Sequence, residues 1–267
     1  MLAWTTAPRR ERISNPPASI EGVVLNTEGG SMPKPPRPWT VTRHDPIEKL
    51  EDNLWAVQGD VPGIPFKRRM FIIKRSDGTL MFFGMAIPLE EKLLAEVTAW
   101  GRPSILVVTH DQHMIDARAF AEKLGLKVYG PKQCEAKLRA RADIAGMLED
   151  VPPDPTVEVM PVAGAKTGEP AVIVKSDGGR RVSLLVSDVL QNNPKDSLGL
   201  LPRLMGFGGG PKIVPVFKMM FIKDKGALKR QLAEWADLPG LARLVPCHGD
   251  GLTSGAAEAL KAAAAAI

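Results

Sequence analysis

Residues 105–113 read Ile105-Leu106-Val107-Val108-Thr109-His110-Asp111-Gln112-His113. An unbroken run from Ile105 to Val108 suits a strand covered on both faces, because neither side of its pleat can then meet water. Two histidines follow at once, where the chain leaves the strand. Upstream, Pro88 to Trp100 spaces Leu89, Leu93, Leu94 and Val97 along one helical face. Before that, Arg69 to Lys74, the turn Ser76-Asp77-Gly78 and Thr79 to Phe83 read as a hairpin, preceded by a short apolar run from Leu54 to Val57. A sheet layered with helices is established by residue 109.

Downstream, Met114 to Leu124 reads as a helix with Gly125 placed to cap it. A strand at Leu126 to Tyr129 and a charged helix from Pro131 to Arg141 follow. Further strands are expected at Val157 to Pro161, Ala171 to Lys175 and Val182 to Val186, the last two joined by Asp177-Gly178-Gly179. Residues 198–222, with Gly206, Gly208, Gly209, Gly210 and three prolines, read as irregular chain. A helix from Lys225 to Trp235, a strand at Ala242 to Val245 and an Ala-rich terminal helix complete the order.

The domain implied is 49–267. Residues 1–48 carry eight prolines and few periodic apolar positions, the composition of an extended arm. The 267 residues, 44% hydrophobic, suffice for one large core. The formal net charge is +5, and its surplus is local: residues 201–230 hold seven basic residues (Arg203, Lys212, Lys218, Lys223, Lys225, Lys229, Arg230) against one acidic. Interleaved with Phe217, Met219, Met220 and Phe221, they form a segment to which a small anionic ligand or a lipid surface would be drawn. No nucleic-acid partner is expected, and a homo-oligomer is left open. The two cysteines, Cys134 and Cys247, lack C-x-x-C spacing, which points to a reducing, cytoplasmic setting. No signal peptide and no apolar stretch of about 18 residues is read, so no transmembrane segment is expected.

Three strand ends carry polar chemistry. His110 and His113 follow the run at 105–108, Ser187-Asp188 follows Val182 to Val186, and His248-Gly249-Asp250 follows Leu244 to Cys247. In layered α/β folds such ends converge on a ligand site, and imidazoles with a carboxylate suit zinc, iron or manganese. His110 and His113 are three apart, and Asp116 lies three further on. Asp111 or Thr109 would otherwise serve only to cap the following helix. Cys247 beside His248 is a weak nucleophile pair, since adjacent side chains diverge. The run from Gly206 to Lys212 lacks the spacing of a phosphate-binding loop.

Taken together, Thr109-His110, Leu184-Leu185-Val186-Ser187-Asp188 and Val245-Pro246-Cys247-His248-Gly249-Asp250 resemble the metallo-β-lactamase superfamily. That family has a T-H-x-H-x-D-H loop, a histidine in a middle loop, a bridging aspartate and a terminal histidine. The resemblance implies an αββα sandwich, two mixed sheets face to face with helices outside. It maps His110 to the first histidine, Asp188 to the bridging aspartate and His248 to the terminal one. His113 and Asp116 are offset from the family spacing. The middle loop, Pro161 to Gly168, has Ala165 or Lys166 where the histidine is expected. Leu54-Trp55-Ala56-Val57, Arg69-Met70, Asp77-Gly78-Thr79-Leu80 and Asp188-Val189-Leu190-Gln191-Asn192 are similar to a divergent subgroup with a degenerate metal site.

Two functions follow. A non-catalytic descendant would keep the fold, hydrogen-bond its histidines to one another or to Asp188, and bind an anionic ligand or partner; the missing loop histidine tilts the reading this way. The alternative is a mononuclear metal-dependent hydrolase of an ester, thioester or phosphoester. Its ligands would be His110, His113, Asp188 and His248, with Asp116 or Asp250 transferring protons.

Overall fold

The computed structural model describes residues 37–64, 66–195 and 198–267. Strands β1 (Glu48–Glu51), β2 (Leu54–Asp60), β3 (Lys67–Lys74), β4 (Thr79–Gly84), β5 (Arg102–Val107), β6 (Lys127–Gly130) and β7 (Ile144–Met147) form one sheet in sequence order. Pairing is antiparallel from β1 to β4 and parallel from β4 to β7. Strands β8 (Val157–Pro161), β9 (Pro170–Ser176), β10 (Arg181–Val186) and β11 (Leu241–Pro246) form the second sheet, ordered β11-β10-β9-β8, with β10 and β11 parallel.

Period-2 alternation explains the layering, because each strand has an apolar residue for each face. In β2 and β3, Leu54, Ala56, Phe71 and Ile73 point between the sheets, where they meet Val172, Val174, Leu185 and Val245. Trp55, Val57, Met70 and Ile72 point outward onto α1 (Glu91–Trp100), α2 (Ala117–Leu124) and α3 (Glu135–Arg139), packing with Val97, Phe120 and Leu138. On the other side, Ile173, Leu184, Val186 and Leu244 face Leu228, Leu232 and Trp235 of a helix at Lys225–Ala236 and Leu260 of the terminal helix at Ala256–Ala265. The result is the αββα sandwich.

The hairpin of β3 and β4 forms as expected, with Phe71 opposite Phe83. The helix read from Met114 begins instead at Ala117, because Asp111–His113 winds into a tighter 3₁₀ turn that His110 caps by accepting from the Gln112 N–H. Gly125, at φ 64°, ends it in the left-handed region that glycine enters freely. The helix at Pro131 to Arg141 reduces to a 3₁₀ turn followed by Glu135–Arg139. Residues 198–222 are not wholly irregular: they contain α4 (Leu200–Leu204) and α5 (Pro215–Phe221), the latter opened by Pro215 in its first turn. The helices at Lys225–Ala236 and Ala256–Ala265 are then α6 and α7.

Of the proline-rich arm, residues 1–36 lie outside the described residues. The remainder follows the first sheet: Trp39 stacks on Phe120 with centroids 5.6 Å apart, and the Asp45 N–H donates to the Gln58 carbonyl at 2.7 Å. Among the described residues no helix is long and apolar enough to cross a membrane.

Candidate metal centre

The parallel strands β5, β10 and β11 end on one side of the sandwich, and each delivers a polar group there. His110 and His113 come from the loop after β5, Asp188 from the loop after β10, and His248 from the loop after β11. One ligand atom from each of His110, His113 and Asp188 lies within 4.8 Å of the others, a spacing that can hold a metal ion. His110 Nε2 is 2.9 Å and His113 Nε2 3.5 Å from Asp188 Oδ2, while His248 Nε2 is 3.2 Å from Asp188 Oδ1 and 3.4 Å from His113 Nε2.

Each ring is held from behind. The Lys67 carbonyl lies 2.8 Å from His248 Nδ1, so that nitrogen must be the donor and Nε2 faces the site. Thr109 Oγ1 engages His113 Nδ1 at 2.5 Å, again leaving Nε2 inward. His110 differs, because its Nδ1 accepts the Gln112 N–H at 3.3 Å and its Nε2 therefore carries the proton shared with Asp188.

The terminal loop is fixed by two further devices. Buried Arg69 of β3 donates through Nη1 to the carbonyls of Pro246 at 2.9 Å and Gly249 at 2.8 Å, tying one sheet to the loop of the other. Gly249 sits at φ 87°, and a Cβ there would lie 2.1 Å from the Asn192 carbonyl, so only glycine lets the two loops meet. They join through Asn192 N–H to the His248 carbonyl at 3.2 Å and Asp250 N–H to the Asn192 carbonyl at 2.8 Å.

Burial alone would raise the Asp188 carboxyl, but the imidazoles of His113, His110 and His248 outweigh it and hold it well below the usual carboxylate range. Burial pulls His110 and His248 down, yet hydrogen bonds to Asp188 leave both above the ordinary histidine value. Burial and the neighbouring His110 keep His113 well below it. When His248 is neutral, its Nε2 and Asp188 Oδ1 are two acceptors 3.2 Å apart, which requires a proton or a cation between them. Two imidazoles, His110 and His113, and the Asp188 carboxylate thus fit a divalent ion by donor chemistry, with the His248 imidazole beside Asp188.

Asp116 and Asp250 are not drawn into this cluster. Asp116 is buried against the Arg68 guanidinium, Oδ2 to Nη1 at 2.7 Å, with Arg37 at 3.8 Å. Asp250 is exposed, and its backbone is what binds the neighbouring loop. Cys247 is buried, and burial pushes its thiol up, far from a reactive thiolate. In the middle loop, Ala165 lines the site and Lys166 is exposed.

The group absent from the sequence reading is Glu169, four residues beyond Ala165. Its carboxylate is 5% exposed, accepts the Asp188 N–H through Oε2 at 3.0 Å, and lines the same cleft as His110 and Asp188. Burial, reinforced by the charge of Asp188, pushes it up to about 7. The only local signal is an acidic residue just before a strand, which is indistinguishable from a surface position until the fold is seen to bury it. The cleft is small, about 20 Å³, partly open to solvent, and walled by Val189, Ile213, Phe217, Phe221, Ile222 and Leu228.

No protein-family model matches the chain, and no curated protein matches it. Solved structures do. A DIM-1 metallo-β-lactamase exposed to ceftazidime superposes with a TM-score of 0.58 at 15% identity, covering 85% of this chain and 99% of that one. Metallo-β-lactamases from Hirschia baltica (TM-score 0.54, 15% identity, 82% and 98% covered) and Erythrobacter litoralis (0.54, 11%, 83% and 96%) are similar to it as well. At these identities the likeness is one of architecture. The fold of this chain is the metallo-β-lactamase fold.

Proposed function

We propose that the protein is a hydrolase using one divalent ion, zinc, iron or manganese, held by His110, His113, Asp188 and His248, and acting on an ester or thioester. The observation that carries this reading is the contact of three imidazoles with the one Asp188 carboxylate, with His113 and His248 turned Nε2-inward by Thr109 and the Lys67 carbonyl. An ion bound there would supply Lewis acidity toward a carbonyl oxygen and make water a competent nucleophile at neutral pH.

The remaining work falls to the chain. Asp188 balances the charge of the imidazoles. Glu169, lying in the cleft beside His110 and poised near neutrality, is the carboxylate placed to take a proton from water and return it to the departing oxygen or sulfur. We assign that role to Glu169 rather than to Asp116, which is engaged by Arg68, or to exposed Asp250. The oxygen of water forms the new bond to the acyl carbon, the carbon–oxygen or carbon–sulfur bond breaks, and the leaving group departs with a proton. Free, buried Cys134 and Cys247 accord with the reducing cytoplasm as its setting.

Hydrolysis of a panel of esters and thioesters by zinc-loaded protein tests this. Turnover should vanish with a chelator, return with metal, and be lost in His248→Ala; activity indifferent to chelation would overturn it. One observation favours a second, non-catalytic reading. Because His110 Nδ1 accepts from Gln112 N–H, the cluster closes on itself through protons alone. In that case nitrogen-15 NMR would show the His110 tautomer unchanged when metal is added, whereas coordination through Nε2 requires the proton to leave it.

A further inference from the structure

We infer that the outward face of α4 and α5 docks the protein onto the surface of an anionic phospholipid bilayer. The inference is independent of the hydrolytic reading. Leu200, Leu201, Leu204 and Met205 at α4, and Met219 and Met220 on α5, are all exposed, with Leu200 at 75%, Leu204 at 76% and Met219 at 77%. On α4 the three leucines fall at i, i+1 and i+4, within one face about 100° wide. The two helices adjoin. A Cβ on Gly206, just after α4, would lie 2.8 Å from the Pro215 ring that opens α5, and Phe207 meets Phe217 edge to face with centroids 5.4 Å apart.

Charge selects the occupant. Residues 198–223 contain Arg203, Lys212, Lys218 and Lys223 and no acidic residue. Lys218 donates to the Ala266 carbonyl. The Nζ atoms of Lys195 and Lys212 each lie 3.8 Å from the position of a Cβ on Gly209, and neither has a carboxylate partner among the described residues. Two ammonium groups brought together over a glycine loop repel one another until an anion such as a lipid phosphate joins them. A second copy of the chain would instead lay the same uncompensated charges against its own. The exposed set also lacks the aromatic anchors that dominate protein interfaces: Phe207, Phe217 and Phe221 turn to one another edge to face, leaving leucine, methionine and lysine outside. That composition suits shallow insertion among headgroups, with the protein lying on the bilayer. Because Phe217 and Phe221 of the same α5 wall the cleft, docking brings the metal centre close to the lipid surface.

Co-sedimentation of the full chain with vesicles of phosphatidylcholine alone, and of phosphatidylcholine mixed with phosphatidylserine, tests this without metal or substrate. Binding is expected to the mixed vesicles only, and should fall as salt shortens the reach of the charges. Lys195→Ala and Lys212→Ala should each weaken it about fivefold. Leu204→Ser combined with Met219→Ser should weaken it roughly tenfold or more; both side chains are exposed, so the core is left intact. Lys92→Ala, at an exposed position of α1 on the other sheet, should leave binding unchanged. No binding to the mixed vesicles, an equal loss in Lys92→Ala and Lys212→Ala, or binding indifferent to the two serine substitutions would overturn the inference. Dimerisation in sedimentation velocity without lipid, abolished by Leu204→Ser, would assign the face to a second copy and overturn it as well. Tighter binding to soluble polyglutamate than to the mixed vesicles would do the same in favour of an acidic protein partner.

Discussion

At Glu169 a single carboxylate sets a measurable pH dependence. Its ordinary value is 4.5 and burial beside Asp188 pushes it up to about 7, so between those values the folded chain binds a proton that the unfolded chain has released. Stability must therefore fall as pH rises across that window. Glu169→Gln keeps the acceptor for the Asp188 N–H and removes the charge. Urea unfolding in the presence of a chelator should find this variant more stable than the parent by on the order of 2 kcal/mol near pH 8, and little different near pH 4. Asp116 makes the opposite case. Its partner Arg68 is 1% exposed and donates to the Ala86 carbonyl at 2.9 Å, so Asp116→Ala strands a buried guanidinium. The expected loss is about 3–5 kcal/mol in chemical denaturation. Metal stoichiometry of the folded fraction should be unchanged, since Asp116 belongs to the scaffold under the site.

Among the elements, the loops carry the chemistry and the strands aim it. Ile105 to His113 is legible as strand then ligand loop because a doubly covered strand leaves an unmistakable apolar run, and β10 and β11 carry shorter ones, Leu184 to Val186 and Leu244 to Val245. What surrounds them is not so plain. β1, read Glu48-Lys49-Leu50-Glu51, is a polar edge strand with no apolar pattern, and β7 is four residues long with Gly146 inside it. α5 hides in a glycine- and proline-rich stretch, so Phe217 and Phe221 count as members of a basic segment until the helix turns them into the cleft. The meeting of the loops after β10 and β11 likewise has no sequence signal beyond Gly249. Gly249→Ala would drive a Cβ into the Asn192 carbonyl and force a residue with a side chain to φ 87°. A destabilisation on the order of 2 kcal/mol or more is expected in thermal unfolding, with His248 displaced and metal affinity weakened.

Across the whole molecule, three apolar layers support a site at one end of the sandwich, and the layer between the sheets is the one that holds β5, β10 and β11 in common register with the ligands. Phe83 is fully buried there, 5.8 Å from the Phe71 ring. Phe83→Ala should lower stability by about 3–5 kcal/mol in urea unfolding. The αββα layering is readable from period-2 alternation and from strand and helix order, and so are four of the polar groups. The regional positive charge, by contrast, is a property of the surface and does not reach into the cleft.

The most direct test of the account is metal content by elemental analysis after equilibrium dialysis near pH 6 and near pH 8. Wild type, His110→Ala, His248→Ala and Asp250→Ala would be prepared identically. The protons held by His110 and His248 against Asp188 must leave before their Nε2 atoms can coordinate, so uptake should be stronger at the higher pH. The account expects about one ion per chain in wild type and Asp250→Ala near pH 8, and a loss in both histidine variants. No metal in wild type under replete conditions, or metal retained by both histidine variants, would contradict it.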